Sequence, residues 1–289
     1  MSVTERIIKT THGEIAVAES SSTGMPVLFI HGNSGSKDVF REILDGPIGA
    51  NFHAIAMDLP GHGASSDAID PKRTYSLSGF ADAAIETLGV MGVERAAVVG
   101  WSLGGHVAIE MSTRYPGMTG MMLIGTPPVS ATPESLQAGF MPNPIVGLIG
   151  KEVFSDDDVT AFGRGTYGAL YDDRLRAAIK RADGRLRRMT FEDLLAGNPA
   201  DQRGAVEGSK VPVAFVNGAD DPFVNLDYIG NLACANLWDR HNYVLRGAGH
   251  VPFLESPEAF AALLSRFLAE MAVRKKGPQT GKHGKVAAA

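Results

Sequence analysis

Five short aliphatic runs constrain this chain more than any other feature. They occupy residues 27–30, 53–57, 96–99, 121–124 and 213–216, and each is followed within two positions by Gly or Asp. Runs this short and this apolar suit strands buried on both faces. Between and after them lie longer amphipathic stretches at 77–90, 105–114, 226–235 and 257–271, whose apolar positions recur at helical spacing. Strands alternating with helices predict a parallel sheet covered on both sides, the α/β class. Residues 14–18 read as an antiparallel opening strand, and no internal repeat is visible.

The alternation breaks between Thr126 and Ser209. This stretch opens with TPPVSATPES, continues through MPNPIVG, and then runs through charged helical pieces at 171–188 and 191–195. A long segment without a sheet-like strand inside an α/β pattern reads as a helical lid. The expected organisation is therefore a core at 1–126 and 210–273 with a lid at 127–209. Residues 274–289 are basic and Gly-rich without apolar periodicity, and are expected to be a disordered tail.

Composition excludes several classes. A net charge of −5 gives no basic excess of the kind a nucleic-acid binder usually shows. No stretch approaches the roughly 20 apolar residues of a membrane span, and the N-terminus has no apolar run suited to a signal peptide. The single cysteine, Cys234, cannot form an internal disulfide and sits in a mixed stretch that favours packing. A cytoplasmic protein without nucleic-acid or membrane partners is expected.

Gly100-Trp101-Ser102-Leu103-Gly104 fits G-x-S-x-G. Alone the pattern is weak in a chain with 34 glycines. Here it follows the strand AAVV and precedes a helix, which is the strand–turn–helix setting a nucleophile elbow requires. The turn is sharp, so side chains at Gly100 and Gly104 would strike the neighbouring helix and strand. Ser102 is the candidate nucleophile, at a helix N-terminus where the dipole favours developing negative charge.

An acyl-transfer intermediate needs two fixed N–H donors. Leu103, directly after the nucleophile, supplies one. The loop Ile30-His31-Gly32-Asn33 after an early strand supplies the other, with Asn33 the candidate. His31 and His62 read as braces for their loops, and His106 as a packing residue. Gly32 and Trp101, beside the donors and the nucleophile, are candidate substrate contacts.

A serine hydroxyl also needs a base and an acid to orient that base, in the chain order Ser, Asp or Glu, His. Val216-Asn217-Gly218-Ala219-Asp220-Asp221-Pro222-Phe223 offers two aspartates after a strand; Asp221 is preferred and Asp220 competes. Gly247-Ala248-Gly249-His250 follows a short strand at 243–245, and His250 is the candidate base.

Five motifs in order resemble the α/β-hydrolase superfamily: HGN at 31–33, DLPGHGASS at 58–66, GWSLGGH at 100–106, NGADDPF at 217–223 and GAGHVPFLESP at 247–257. The resemblance covers nearly all of residues 1–273. A narrower likeness, through HGNSGS, IGTPPV and VNGADDPF, is to the N-acyl-homoserine lactonases of that fold. It implies a mostly parallel sheet with helices on both faces and a helical lid, and a quorum-quenching enzyme that opens the lactone ring without metal or other cofactor. It also implies a Ser102–Asp221–His250 triad with oxyanion donors at Asn33 and Leu103. The nearest members place Glu where this chain has Asp221. Phe140, Met141, Ile145, Phe154 and Phe162 then become candidates to hold an acyl tail, although lid packing accounts for them equally well.

Rival functions share the triad: a carboxylesterase acting on small or acyl-carrier esters, and a carbon–carbon bond hydrolase. A ligand receptor on a hydrolase scaffold is a further rival, since fold does not imply function. Epoxide hydrolases and haloalkane dehalogenases use an Asp nucleophile, whereas residue 102 is Ser. A metal-dependent lactonase is disfavoured because the histidines lack ligand spacing.

Overall fold

The computed structural model describes residues 2–130, 132–197 and 199–274. The expected tail from residue 275 onward lies outside the described residues. Eight strands form one sheet: β1 (Val3–Thr10), β2 (Gly13–Ser20), β3 (Pro26–Ile30), β4 (His53–Met57), β5 (Ala96–Trp101), β6 (Met118–Ile124), β7 (Val213–Gly218) and β8 (Tyr243–Leu245). Their spatial order is β1-β2-β4-β3-β5-β6-β7-β8. β2 pairs antiparallel with β1 and β4, and all pairings from β4 to β8 are parallel.

Every residue of β5, β6 and β7 is buried, as two-sided helix cover requires. Alternation decides which core each side chain enters. On β3, Leu28 and Ile30 join one apolar cluster while Val27 and Phe29 join the other. The helices Leu77–Val90 and Leu103–Ser112 cover the first face, and Pro257–Val273 covers the second. Burying a Leu or Phe side chain contributes about 1.5–3 kcal/mol, so these two layers dominate the stability of the sheet.

The first strand, β1, has no counterpart in the sequence reading. It is an edge strand, with only Ile8 buried, so it carries no apolar run. Two helical expectations are corrected. The stretch at 226–235 is helical only over Leu226–Gly230, because the Ala233 and Ala235 N–H groups turn to the side chain and carbonyl of Glu207 instead of continuing a helix. The run at 171–188 is two helices, Asp173–Arg181 and Gly184–Leu195. Asp183 breaks it: its carboxylate caps the second helix at Arg185 N–H, and its own N–H donates to the Gly61 carbonyl of the core.

Between β6 and β7 the chain forms six α-helices among the described residues. Thr132, Ser155, Asp172, Asp183 and Asp201 each cap one of them, and Ser155 forms a reciprocal capping box with Asp158. No helix of the described residues is long and apolar enough to cross a membrane.

Candidate active site

The carboxyl ends of β3, β5, β7 and β8 bring the candidate residues together beside the end of β6. β5 runs straight into Ser102, which adopts φ 54°, ψ −119° and starts the helix Leu103–Ser112. A non-glycine residue there is strained and persists only where its surroundings over-determine it. They do so here. Ser102 N–H donates to Ile124 O (2.8 Å), and Ser102 O accepts from Gly105 N–H (2.9 Å) and from the Thr126 hydroxyl (3.0 Å). A Cβ at Gly100 would lie 2.2 Å from Gly104 O, and one at Gly104 would lie 2.1 Å from Ile30 O. Only glycines let the turn close between helix and strand.

The β3 loop reaches Ser102. A side chain at Gly32 would come within 3.1 Å of Ser102 Cβ and 3.0 Å of the Trp101 ring. Gly32 thus lies directly against Ser102. His31 donates through Nδ1 to Gly32 O (2.8 Å) and accepts Leu59 N–H at Nε2 (3.1 Å). His62 accepts Ser34 N–H at Nε2 (3.2 Å). Burial pushes both imidazoles below their ordinary range, so they brace the loop as neutral rings. Among the described residues neither Asn33 N–H nor Leu103 N–H donates a hydrogen bond, which leaves both able to meet an oxyanion.

His250 lies 2.8 Å, through Nδ1, from Asp221 Oδ2. Asp221 Oδ1 accepts the N–H groups of Phe223 (2.9 Å) and Val224 (3.3 Å). Burial pushes the Asp221 carboxyl up, but His250 and those two N–H donors outweigh it and hold the acid below its ordinary range. The shorter Asp side chain therefore reaches the histidine. Asp220 is exposed, and its N–H ties down Ala248 O (2.9 Å).

Three groups that hold this pair carry no obvious signal in sequence. Gly125, at φ 58°, packs flat against it: a Cβ there would lie 2.8 Å from His250 Cε1 and 3.4 Å from Asp221 Oδ2. The Asn217 side chain fixes Gly125 by accepting its N–H (3.0 Å). Glu255 Oε2 accepts the N–H groups of Gly249 (2.7 Å) and Val251 (3.2 Å), on either side of His250. Glu255 ends the one-turn helix Pro252–Glu255, which folds its carboxylate back over that loop.

Trp101 and Phe162, two of the expected substrate contacts, are both buried. Trp101 is fully buried; its indole N–H donates to His250 O (2.8 Å), and its ring lies against Tyr167 and Phe253. Phe162 is buried against Phe154. Protein neighbours already occupy both rings. Phe140 is half-buried, 6.1 Å from the His106 ring, and bridges Val224 beside the acid loop.

Residues 27–263 match the model of the alpha/beta hydrolase family. The chain belongs to the α/β-hydrolase family. Its similarity to individual members extends over most of the molecule. A solved structure of a variant of the N-acyl homoserine lactonase AidH, complexed with N-hexanoyl homoserine, is 44% identical, with a TM-score of 0.92 over 95% of this chain and 99% of that one. AidH complexed with N-butanoyl homoserine is 45% identical, with a TM-score of 0.91 over 94% of this chain and 98% of that one. A pimeloyl-[acyl-carrier protein] methyl ester esterase of Aromatoleum aromaticum is 32% identical over 71% of this chain and 83% of its own length. Like these members, the chain is a hydrolase.

Proposed function

We propose that this protein is an N-acyl-homoserine lactonase: a serine hydrolase that opens the lactone ring without a metal and so removes a quorum signal. The observation that carries the reading is the buried Asp221–His250 bond of 2.8 Å, packed on Gly125 at the strained Ser102 turn. The 44% identity to a lactonase over 95% of the chain supports the substrate assignment.

Ser102 is the nucleophile and His250 takes its proton as Oγ attacks the lactone carbonyl. Asp221 holds the Nδ1–H tautomer and stabilises the imidazolium. Asn33 and Leu103 N–H groups stabilise the oxyanion. As the tetrahedral intermediate collapses, the ring C–O bond breaks and His250 returns the proton to the leaving oxygen, which stays tethered to the acyl group. Water, deprotonated by His250, then attacks the acyl-enzyme; Ser102 regains its proton and N-acyl-homoserine departs. Residues 127–209 act as a lid, and Phe140 is its candidate to hold the acyl tail. The lone Cys234 suits a reducing, cytoplasmic setting.

Incubation with short and long N-acyl-homoserine lactones in the presence of a chelator, followed by mass spectrometry, tests this. A gain of one water is expected, indifferent to chelator and lost by about 10⁴-fold or more in Ser102→Ala with the fold retained. Full activity in that variant would overturn the assignment. The 32% identity to an acyl-carrier methyl ester esterase favours one alternative. Cleavage of acyl-carrier or p-nitrophenyl esters with no lactone opening would move the function there and leave the triad standing.

A further inference from the structure

Arg187 is buried on the helix Gly184–Leu195, yet among the described residues it makes no ion pair. Its Nε donates to Lys151 O (2.8 Å) and one terminal nitrogen to Glu152 O (2.8 Å). Phe154 lies 3.9 Å beneath the guanidinium plane. The remaining nitrogen leaves the insertion altogether and donates to the hydroxyl of Ser34 (3.1 Å), next to Asn33 on the β3 loop. Burial lowers the Arg187 pKa to about 10, which still leaves it charged at neutral pH.

Ser34 is one of four non-glycine residues at positive φ (55°) among the described residues. Its N–H is held by His62 Nε2, and its hydroxyl, while accepting from Arg187, donates to Asn33 Oδ1 (3.0 Å). The other end of the Asn33 amide, Nδ2, donates to Ile149 O (3.3 Å). Both ends of the Asn33 side chain are therefore tied to the insertion, one through Ser34 and Arg187 and the other through Ile149. With its side chain anchored twice, Asn33 has its backbone N–H left over. The hydrogen bond from a buried cation is strong, and the strained Ser34 conformation needs such a partner to persist.

We propose that Arg187 is a positioning residue for the oxyanion loop: through Ser34 it fixes Asn33, so the hole is complete only when the helical insertion is seated. This rests on the reading of Asn33 as an oxyanion donor. A lysine cannot replace the arginine, because one ammonium cannot serve three divergent acceptors and lie flat on Phe154.

The test compares Ser34→Ala, Arg187→Lys and Arg187→Met with the unaltered protein. The readouts are kcat and KM on p-nitrophenyl butyrate and on an acyl-homoserine lactone, with affinity for a trifluoromethyl ketone, whose serine adduct carries an oxyanion. Folding is checked by circular dichroism, and Ser34→Ala, which removes one exchangeable hydroxyl, decides the matter if the arginine variants do not fold. Expected are kcat losses of about 10²-fold with KM within about threefold, and a parallel loss of ketone affinity. Ser34→Ala combined with Arg187→Lys is expected to be no worse than the poorer single variant. Folded Ser34→Ala with kcat and ketone affinity unchanged, or with a loss confined to KM, overturns the proposal. Turnover surviving Ser102→Ala overturns it together with the triad reading. Loss of lactone opening alone, with ester turnover and its Ser34 and Arg187 dependence intact, overturns only the substrate assignment.

Discussion

Around Ser102 the backbone leaves no room: side chains at Gly100, Gly104 and Gly218 would meet main-chain oxygens at 2.2, 2.1 and 2.0 Å. The helical insertion is held differently. On its surface Asp156 pairs with Arg176 and Lys180, Lys151 with Asp158, and Arg188 with Glu152 and Glu192. Val153 and Leu195 stand exposed. Backbone contacts between packed layers cannot yield without moving a strand, whereas exposed ion pairs are screened and individually weak. The loops around Ser102 are thus built for one geometry, whereas the surface of the insertion is held by contacts that can yield.

The sharpest way to break that contrast is at the acid. Asp221→Asn keeps the shape but favours the wrong histidine tautomer, and kcat is expected to fall by about 10³- to 10⁴-fold. The exposed Asp220→Ala is expected to change kcat less than about threefold. Equal losses in the two variants, measured on one ester, would return the acid to open competition.

Gly125→Ala comes next. The added methyl would press on His250 Cε1, and a φ of 58° disfavours Ala. An expected fall of about 10²-fold in kcat, with the thermal midpoint lowered by only a few degrees, would separate distortion of the base from loss of the fold. A variant as active as the original would show that the close packing on the histidine is immaterial.

Acid should act on the core. Unfolded, His31 and His62 titrate near the ordinary value of 6.5, whereas burial holds both lower in the folded protein. Their contribution to stability is complete above about pH 6.5 and is lost as pH falls below it. Urea unfolding between pH 7 and 5 is expected to show declining stability, with a shallower decline in His62→Gln. Parallel slopes would remove that ring from the account. Asp221, held below its ordinary range, adds a further loss only at lower pH, as its carboxylate protonates.

The smallest effect is expected on the insertion surface. Asp156→Ala removes two exposed ion pairs, and the thermal midpoint should shift by no more than about 2 °C, with kcat unchanged. A larger drop would mean that the charged surface of the insertion carries real stability.

Local sequence determined the parallel strands, because full burial on both faces demands unbroken aliphatic runs, as in AAVV before Ser102. It also determined the elbow, the donor loop and the histidine loop, since each needs glycine or a polar residue at a fixed place in the chain. β1 was illegible because an exposed edge strand needs no apolar pattern; its register against β2 comes from backbone pairing alone. The choice of Asp221 over Asp220 was a local preference until the fold brought one carboxylate, and not its neighbour, to 2.8 Å from His250. Trp101, Gly125, Glu255 and the path from Arg187 through Ser34 to Asn33 were decided only in three dimensions. Their partners lie up to 153 residues away in the chain, and no local pattern encodes a hydrogen bond or a close approach between segments so far apart.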